Sequence, residues 1–295
     1  MRDEYAKAVA KIAVGDEKFI FLTGDLGFNA FEGIRDQIGE RFINAGVAEQ
    51  NMIDVAAGMA YAGLNPWTYS IAPFLVLKTL EQVRNDISHK NLAVKMVGNG
   101  GGYGYGIMGS THHVLEDIAI MSSMPSIKIF IPAFNSDVAP IVAKMNERNG
   151  PSYLRLGASS LSWKTYGAAR NVLKGEKIVV AALGPVVQNV ISAAEKIEGV
   201  DVWAITELPF SLPTSFYKSL LKTKKMLVVE EHVQSGGLGQ ALLSALAQRS
   251  LCVKFAHSFS KGYISKLYGS QSYHLKDAGL DDKSIYKQIQ HLING

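Results

Sequence analysis

Asn44-Ala45-Gly46-Val47-Ala48-Glu49-Gln50-Asn51-Met52-Ile53-Asp54-Val55-Ala56-Ala57-Gly58-Met59-Ala60-Tyr61-Ala62-Gly63 is the stretch on which the fold turns. At helical period, Glu49 shares a stripe with Met52, Ile53, Ala56, Met59, Ala60 and Gly63, so a carboxylate heads the face that packs inward. Asp54 turns away from that stripe. Burial raises a carboxyl's pKa while the first turn of a helix favours the anion, so Glu49 is poised to share a proton. Two readings stay open here: a working acid–base group, or a carboxyl satisfied by a structural hydrogen bond or ion pair. Arg41-Phe42-Ile43-Asn44 reads as a short strand feeding this helix, with Asn44 or a nearby backbone group as its cap. Strand, turn and helix in that order announce an α/β protein.

Working outward, Tyr5, Ala8, Val9 and Ile12 space a first helix, and Phe19-Ile20-Phe21-Leu22 is an apolar strand ending at Thr23-Gly24-Asp25. Pro66 to Ser70 is a further strand, and Phe74, Leu75, Leu77, Val83 and Ile87 predict one long helix from Pro73. The strand Leu92 to Val97 runs into Gly98-Asn99-Gly100-Gly101-Gly102-Tyr103-Gly104-Tyr105-Gly106-Ile107-Met108-Gly109-Ser110-Thr111-His112-His113, a loop too glycine-rich for regular structure. Gly104, Gly106 and Gly109 form a formal G-x-G-x-x-G, but no tight strand-to-helix turn surrounds them and a His-His pair follows, which speaks against a dinucleotide site. A helix from His113 to Met121, a strand Ile127 to Ile131, a helix Val138 to Asn146 capped by Asn135-Ser136-Asp137, and a strand Ser152 to Leu156 complete a first domain, residues 1–157.

Residues 158–175 lose periodicity and read as a linker, and a second domain follows at 176–295. Its strands, Ile178 to Leu183, Val200 to Ile205, Lys225 to Val229 and Cys252 to Ala256, alternate with helical runs, the rhythm of a parallel sheet with right-handed crossovers. A last helix is expected from Leu280 to Ile293. The expected fold is thus two doubly wound α/β domains with largely parallel sheets. Ser235-Gly236-Gly237-Leu238-Gly239 opens a helix over Gln240 to Gln248; an anion on free amides and close helix packing both explain its glycines, with packing preferred.

Composition narrows the function classes. The 295 residues are 47% hydrophobic and 19% charged, enough for two cores, and a net charge of +4 with no dense basic stripe singles out no nucleic acid. Lys222, Lys224 and Lys225 read as a solvated face. One cysteine, Cys252, excludes an intrachain disulfide and a cysteine-built zinc site. No apolar run is long enough to span a membrane, Met1-Arg2-Asp3-Glu4 opens a helix rather than a signal peptide, and a cytoplasmic location is the expectation.

Phe42-Ile43-Asn44-Ala45-Gly46-Val47-Ala48-Glu49-Gln50, Gly109-Ser110-Thr111-His112-His113, Ile131-Pro132-Ala133, and Val228-Val229-Glu230-Glu231-His232 with Ser235-Gly236-Gly237-Leu238-Gly239 resemble, together and in this order, the transketolase family. The likeness covers nearly the whole chain but only the last two of three transketolase domains, so the chain looks like the smaller subunit of a split enzyme. 1-Deoxyxylulose-phosphate synthases and 2-oxoacid dehydrogenase beta subunits are more distant relatives.

The resemblance implies thiamine diphosphate as cofactor. It makes Glu49 the group that hydrogen-bonds the aminopyrimidine nitrogen and couples proton removal from the thiazolium carbon. It makes His112 a substrate-facing histidine and His113 a second candidate of that kind; a core histidine satisfied by backbone is the alternative for His112. Phe74 falls in the helix that stacks the pyrimidine, although Leu77 and Leu80 stand where other members carry aromatics, and core packing rivals this role. Gly109 marks the loop that borders the cofactor. Mg2+ and the diphosphate are expected on an N-terminal partner subunit, because Gly15-Asp16-Glu17 and Gly24-Asp25-Leu26 lack the family's metal motif. The cofactor then lies between subunits, and a two-fold heterotetramer inactive without its partner follows.

Some positions depart from sugar-phosphate transketolases. Met108 stands in place of an acidic residue, Ser110 of a proline, Ala158 of a phosphate-binding arginine and Gly100 of a histidine. Arg155 lies nearby, but strand alternation turns it away from Leu156 and Ala158. A non-standard sugar substrate is therefore expected. A decarboxylating 2-oxoacid dehydrogenase beta subunit and a noncatalytic regulatory protein of the same fold are the rival readings.

Overall fold

A computed structural model of the chain describes every residue except 28, 164 and 264–267. Strands β1 (Phe19–Thr23), β2 (Phe42–Asn44), β3 (Asn65–Ile71), β4 (Lys95–Asn99), β5 (Lys128–Phe130) and β6 (Ser152–Leu156) lie in one sheet in the order β5-β6-β4-β3-β1-β2, all parallel. Strands β7 (Ala169–Leu173), β8 (Ile178–Leu183), β9 (Val200–Ile205), β10 (Glu207–Leu208), β11 (Lys225–Glu230) and β12 (Lys254–Ser258) follow. The second sheet runs β12-β11-β8-β9-β7, parallel except for its edge pair β7 and β9. β1, β6, β8 and β9 are buried along their whole length; β1 and β8 accordingly read as near-continuous apolar runs, while β6 buries Ser152 and Arg155 and β9 buries Asp201.

The two sheets are stitched together. β10, which follows β9, leaves the second sheet and pairs antiparallel with β5 of the first, Glu207 opposite Phe130 and Leu208 opposite Ile129. One apolar cluster runs from Leu22, Met52 and Ile53 through Met121 and Ile131 to Leu183, Trp203 and Leu238. Side chains of both sheets share it, so the seam between them carries hydrophobic burial, about 25 cal/mol for each Å² of apolar surface removed from water. Among the described residues no helix is long and apolar enough to cross a membrane.

Some expectations need correction. The segment read as an aperiodic connection contributes β7, whose register slips between Asn171 and Leu173, and that irregularity hides the strand's alternation. The long helix expected from Pro73 is broken into Ala72–Val76, a turn at Leu80–Gln82 and a π-helical segment Val83–Ser88. Buried Thr79 turns its hydroxyl onto the Leu75 carbonyl at 2.5 Å, a local bond at the break between the first two pieces. His113 does not start a helix; the chain stays extended there and the helix begins at Asp117. Asn44 does not cap the helix Glu49–Tyr61, since its side chain accepts the Asp25 and Gly46 amides instead, and the helix follows Ala48 without a side-chain cap. At Ser235 to Gly239 an anion does rest on the amides, supplied by the chain itself. The Glu230 carboxylate accepts the Leu238 and Gly239 N–H groups at 2.7 and 2.9 Å, and a Cβ on Gly237 would come within 2.5 Å of it.

Candidate active site

In the first sheet β1 has β2 on one side and β3 on the other, so successive connections diverge from β1. The crevice outside the carboxyl ends of strands at such a switch point is where open α/β sheets bind ligands. Glu49 sits in that crevice at the first position of its helix and is 1% exposed. Its Oε1 accepts from Ser70 Oγ, at the end of β3, at 3.2 Å, and its Oε2 accepts from Lys78 Nζ at 2.6 Å. Gly24, just past β1, closes the floor: a Cβ there would lie 3.2 Å from Ser70 Oγ and 3.4 Å from Glu49 Oε1.

Phe74 is half-buried one turn before Lys78, whose ammonium lies 5.6 Å from the Phe74 ring centre. The His112 ring meets Phe74 edge-on at 5.3 Å, and its Nδ1 lies 3.0 Å from Thr111 Oγ1. Glu49, Lys78, Phe74 and His112 therefore form one chain of contacts from the crevice floor to the glycine loop. His113 faces the opposite way. It is 4% exposed, its Nε2 is 3.1 Å from the Gly106 carbonyl oxygen, and its ring packs on Tyr103 and His274. Burial lowers its pKa against that hydrogen bond, with His274 and His112 lowering it further. Gly109 turns the loop at φ +81°, a left-handed conformation that favours glycine, and a Cβ there would lie 2.4 Å from the Tyr268 ring.

Lys78 and Ser70 are the contributors that the sequence reading missed. Lys78 follows Phe74 by four residues, a spacing that would place both on one helix face, but an interrupted helix blurs that signal. Arg155 is buried between the domains, its Nη1 3.4 Å from Asp117 Oδ1 and its Nη2 donating to the Glu231 carbonyl at 2.8 Å. Ala158 is exposed and Met108 half-exposed. Among the described residues no group of three or more histidine, cysteine or acidic side chains could hold a metal ion.

The donor set suits an aromatic nitrogen ring. Glu49 Oε2 accepts, among the described residues, from a single amine on a partly exposed arm, so a ring nitrogen can take that amine's place with one proton shared between it and the carboxylate. The crevice thus has a carboxylate floor walled by one aromatic ring and one histidine at a switch point. The transketolase pyrimidine-binding domain matches residues 1–163 and the transketolase C-terminal domain residues 167–285. The chain belongs to the transketolase family, whose members depend on thiamine diphosphate. It is 31% identical over 260 residues to a subunit of the apulose-4-phosphate transketolase of Actinobacillus succinogenes, covering 83% of each chain. It is 30% identical over 261 residues to a 6-deoxy-6-sulfo-D-fructose transketolase subunit of a Clostridium species, covering 84% of this chain and 81% of the relative. A split-gene transketolase solved as an inactive beta4 tetramer superimposes with a TM-score of 0.88 at 25% identity, covering 99% of this chain and 98% of that one. Transketolase from Campylobacter jejuni shares the fold, with a TM-score of 0.81 at 17% identity, over 98% of this chain but 46% of its own.

Proposed function

We infer that this chain is the pyrimidine-side subunit of a split transketolase, which moves a two-carbon ketol unit from a ketose to an aldehyde once an N-terminal partner completes the site. The observation that carries the reading is the buried Glu49 carboxylate at the switch-point crevice, facing Phe74 and His112. When bound, thiamine diphosphate supplies the nucleophilic carbon and electron sink that side chains lack. Glu49 holds and shares a proton at Oε2 toward the pyrimidine ring nitrogen, with Ser70 fixing the other oxygen. Lys78 would give up Oε2 to that ring nitrogen, its partly exposed side chain being free to turn to water. Phe74 would hold the ring's face, Gly109 would let the loop approach it, and His112 would exchange a proton with the substrate oxygen. His113 braces the loop from behind.

The diphosphate and Mg2+ belong to the partner in this reading, because Gly15-Asp16-Glu17 and Gly24-Asp25-Leu26 lack the family's metal motif. Two copies of each chain then form a two-fold assembly. Transketolase subunits of similar length among the relatives favour this function over the 2-oxoacid dehydrogenase and regulatory readings. The substrate is a sugar outside the ordinary pentose phosphates: Met108 and Ala158 offer no charge, and Arg155 is committed to Asp117 and Glu231.

Calorimetric titration of the chain with thiamine diphosphate and Mg2+, alone and with its partner, tests the division of labour. No micromolar binding is expected from the chain alone. Such binding, or turnover without a second polypeptide, would overturn the split assignment. In the reconstituted enzyme, efficient use of xylulose 5-phosphate with ribose 5-phosphate would overturn the substrate class.

A further inference from the structure

Three glycines of the loop between β4 and His113 face the C-terminal domain and its neighbours, with no room for a side chain. A Cβ on Gly101 would lie 2.1 Å from Arg155 Nε, one on Gly102 2.4 Å from Glu231 Cδ, and one on Gly106 2.5 Å from the Gln271 backbone nitrogen. Gly102 also has φ +67°, so its backbone is strained for any other residue. The loop is moulded against Arg155 and the C-terminal domain.

At the centre of that contact is Glu231, which follows β11 and is 7% exposed. Its Oε1 accepts the Tyr103 backbone N–H at 2.8 Å and Gln271 Nε2 at 3.1 Å. The Tyr103 ring then stacks on His274 at 5.1 Å and meets His113 edge-on at 5.3 Å, while His113 holds the Gly106 carbonyl. Gly102 and Val114 exchange backbone hydrogen bonds of 2.9 and 3.0 Å across the loop's neck. The loop is thus fixed at its neck, at Tyr103 and at Gly106, and the residue next to His113 is His112.

We propose that Glu231 is a positioning residue for the candidate active site: its carboxylate clasps the Tyr103 amide and thereby fixes the loop that presents His112 to Phe74 and Glu49. This rests on the transketolase reading only for the role of His112; the clasp itself is a statement about this chain. The C-terminal domain, which lends no side chain to the crevice floor described above, then acts on the site by holding its glycine-loop wall. Burial raises the Glu231 carboxyl's pKa, opposed by the Arg155 guanidinium and by the Tyr103 and Gln271 hydrogen bonds; in its ionised form the carboxylate holds the amide more strongly, because hydrogen bonds to charged groups exceed neutral ones in strength.

The test is hydrogen exchange on the isolated chain with two variants. Glu231→Gln keeps an acceptor oxygen but loses the charge and sets its amide donors against those of Gln271; Glu231→Ala removes the acceptor. Exchange across residues 100–113 is expected to accelerate roughly fivefold in Glu231→Gln and more in Glu231→Ala, the size expected for weakening one charged hydrogen bond. Peptides from β8 and β9 are expected to stay unchanged in both. If Glu231→Ala does not fold, the near-isosteric Glu231→Gln decides alone. In the enzyme reconstituted with its partner, Glu231→Gln should lower kcat roughly tenfold with the ketose KM within about twofold. Unchanged loop exchange would overturn the clasp, and faster exchange with unaltered kcat would overturn its role in positioning. A wild-type assembly without ketol transfer would count against the transketolase reading alone, because the exchange comparison needs no substrate.

Discussion

Glu49→Gln separates folding from chemistry at the position where the two are most entangled. The amide is nearly isosteric, keeps an oxygen for the Ser70 hydroxyl 3.2 Å away, and gives up the charge that attracts Lys78 at 2.6 Å. Breaking a buried ion pair is costly when one charge is stranded. Here the stranded group would be Lys78, whose side chain is 43% exposed and can swing into water. The stability change should therefore stay near that of a partly exposed pair, within about 1 kcal/mol in urea denaturation of the isolated chain. Turnover should respond very differently. A carboxamide accepts and donates hydrogen bonds but does not exchange a proton in the working pH range, and general acid–base groups contribute roughly a hundredfold to ten-thousandfold, or about 3–5 kcal/mol of barrier. The assay is ketol transfer by the reconstituted enzyme, with folding of the mutant chain verified by its unfolding midpoint. A folded mutant that keeps more than a tenth of wild-type turnover would refute the acid–base assignment, and a collapse in stability would show Glu49 to be a structural carboxylate.

Two further outcomes follow from the site and the sheet. Replacing His112 with Asn should cut turnover at least roughly tenfold with stability unchanged to about 0.5 kcal/mol, whereas His113→Ala should cost about 2 kcal/mol of stability, since it empties a packed buried position; urea curves and steady-state rates on both variants check this, and a reversed pattern would exchange the two roles. Buried Lys95 has its pKa pulled down to about 8 by desolvation, against the raising influence of Asp16, so the folded chain binds fewer protons than the unfolded one between that pH and the free value. Its penalty is fully present below pH 8 and is relieved as pH rises toward about 10.4, with a ceiling near 3 kcal/mol; Lys95→Met should be the more stable protein at pH 7, and a stability difference between the two that does not shrink on going to pH 9.5 would refute the assignment.

What the sequence made legible was whatever depends on near neighbours along the chain. Periodic apolar spacing located the helix carrying Glu49 and most of the parallel strands, because a residue's face is set by its place in a turn or pleat. β7 escaped because a register slip removes alternation, and β10 because two residues carry no period. The broken helix after Pro73 escaped because neither the interruption near Thr79 nor the π-helical turn that follows disturbs the apolar spacing. Arg155 was placed on the right face by strand alternation, although its partners, one of them 76 positions along the chain, could not be named from it.

The glycine loop shows why the rest was hidden. Its composition admits two causes, a ligand's close approach and a neighbouring segment's close approach, and both remove side chains for the same steric reason. Gly101, Gly102 and Gly106 answer to Arg155, Glu231 and Gln271, all distant in sequence, while Gly109 answers to Tyr268. Which of two adjacent histidines reaches the crevice follows from packing on the loop's far side: Tyr103 of the loop and His274 of the C-terminal domain take one ring, and the other is left to face Phe74. His112-His113, a pair in the sequence, is therefore split by the fold: one ring is packed between Tyr103 and His274 and the other lies against Phe74, and His274, from the C-terminal half, marks the difference.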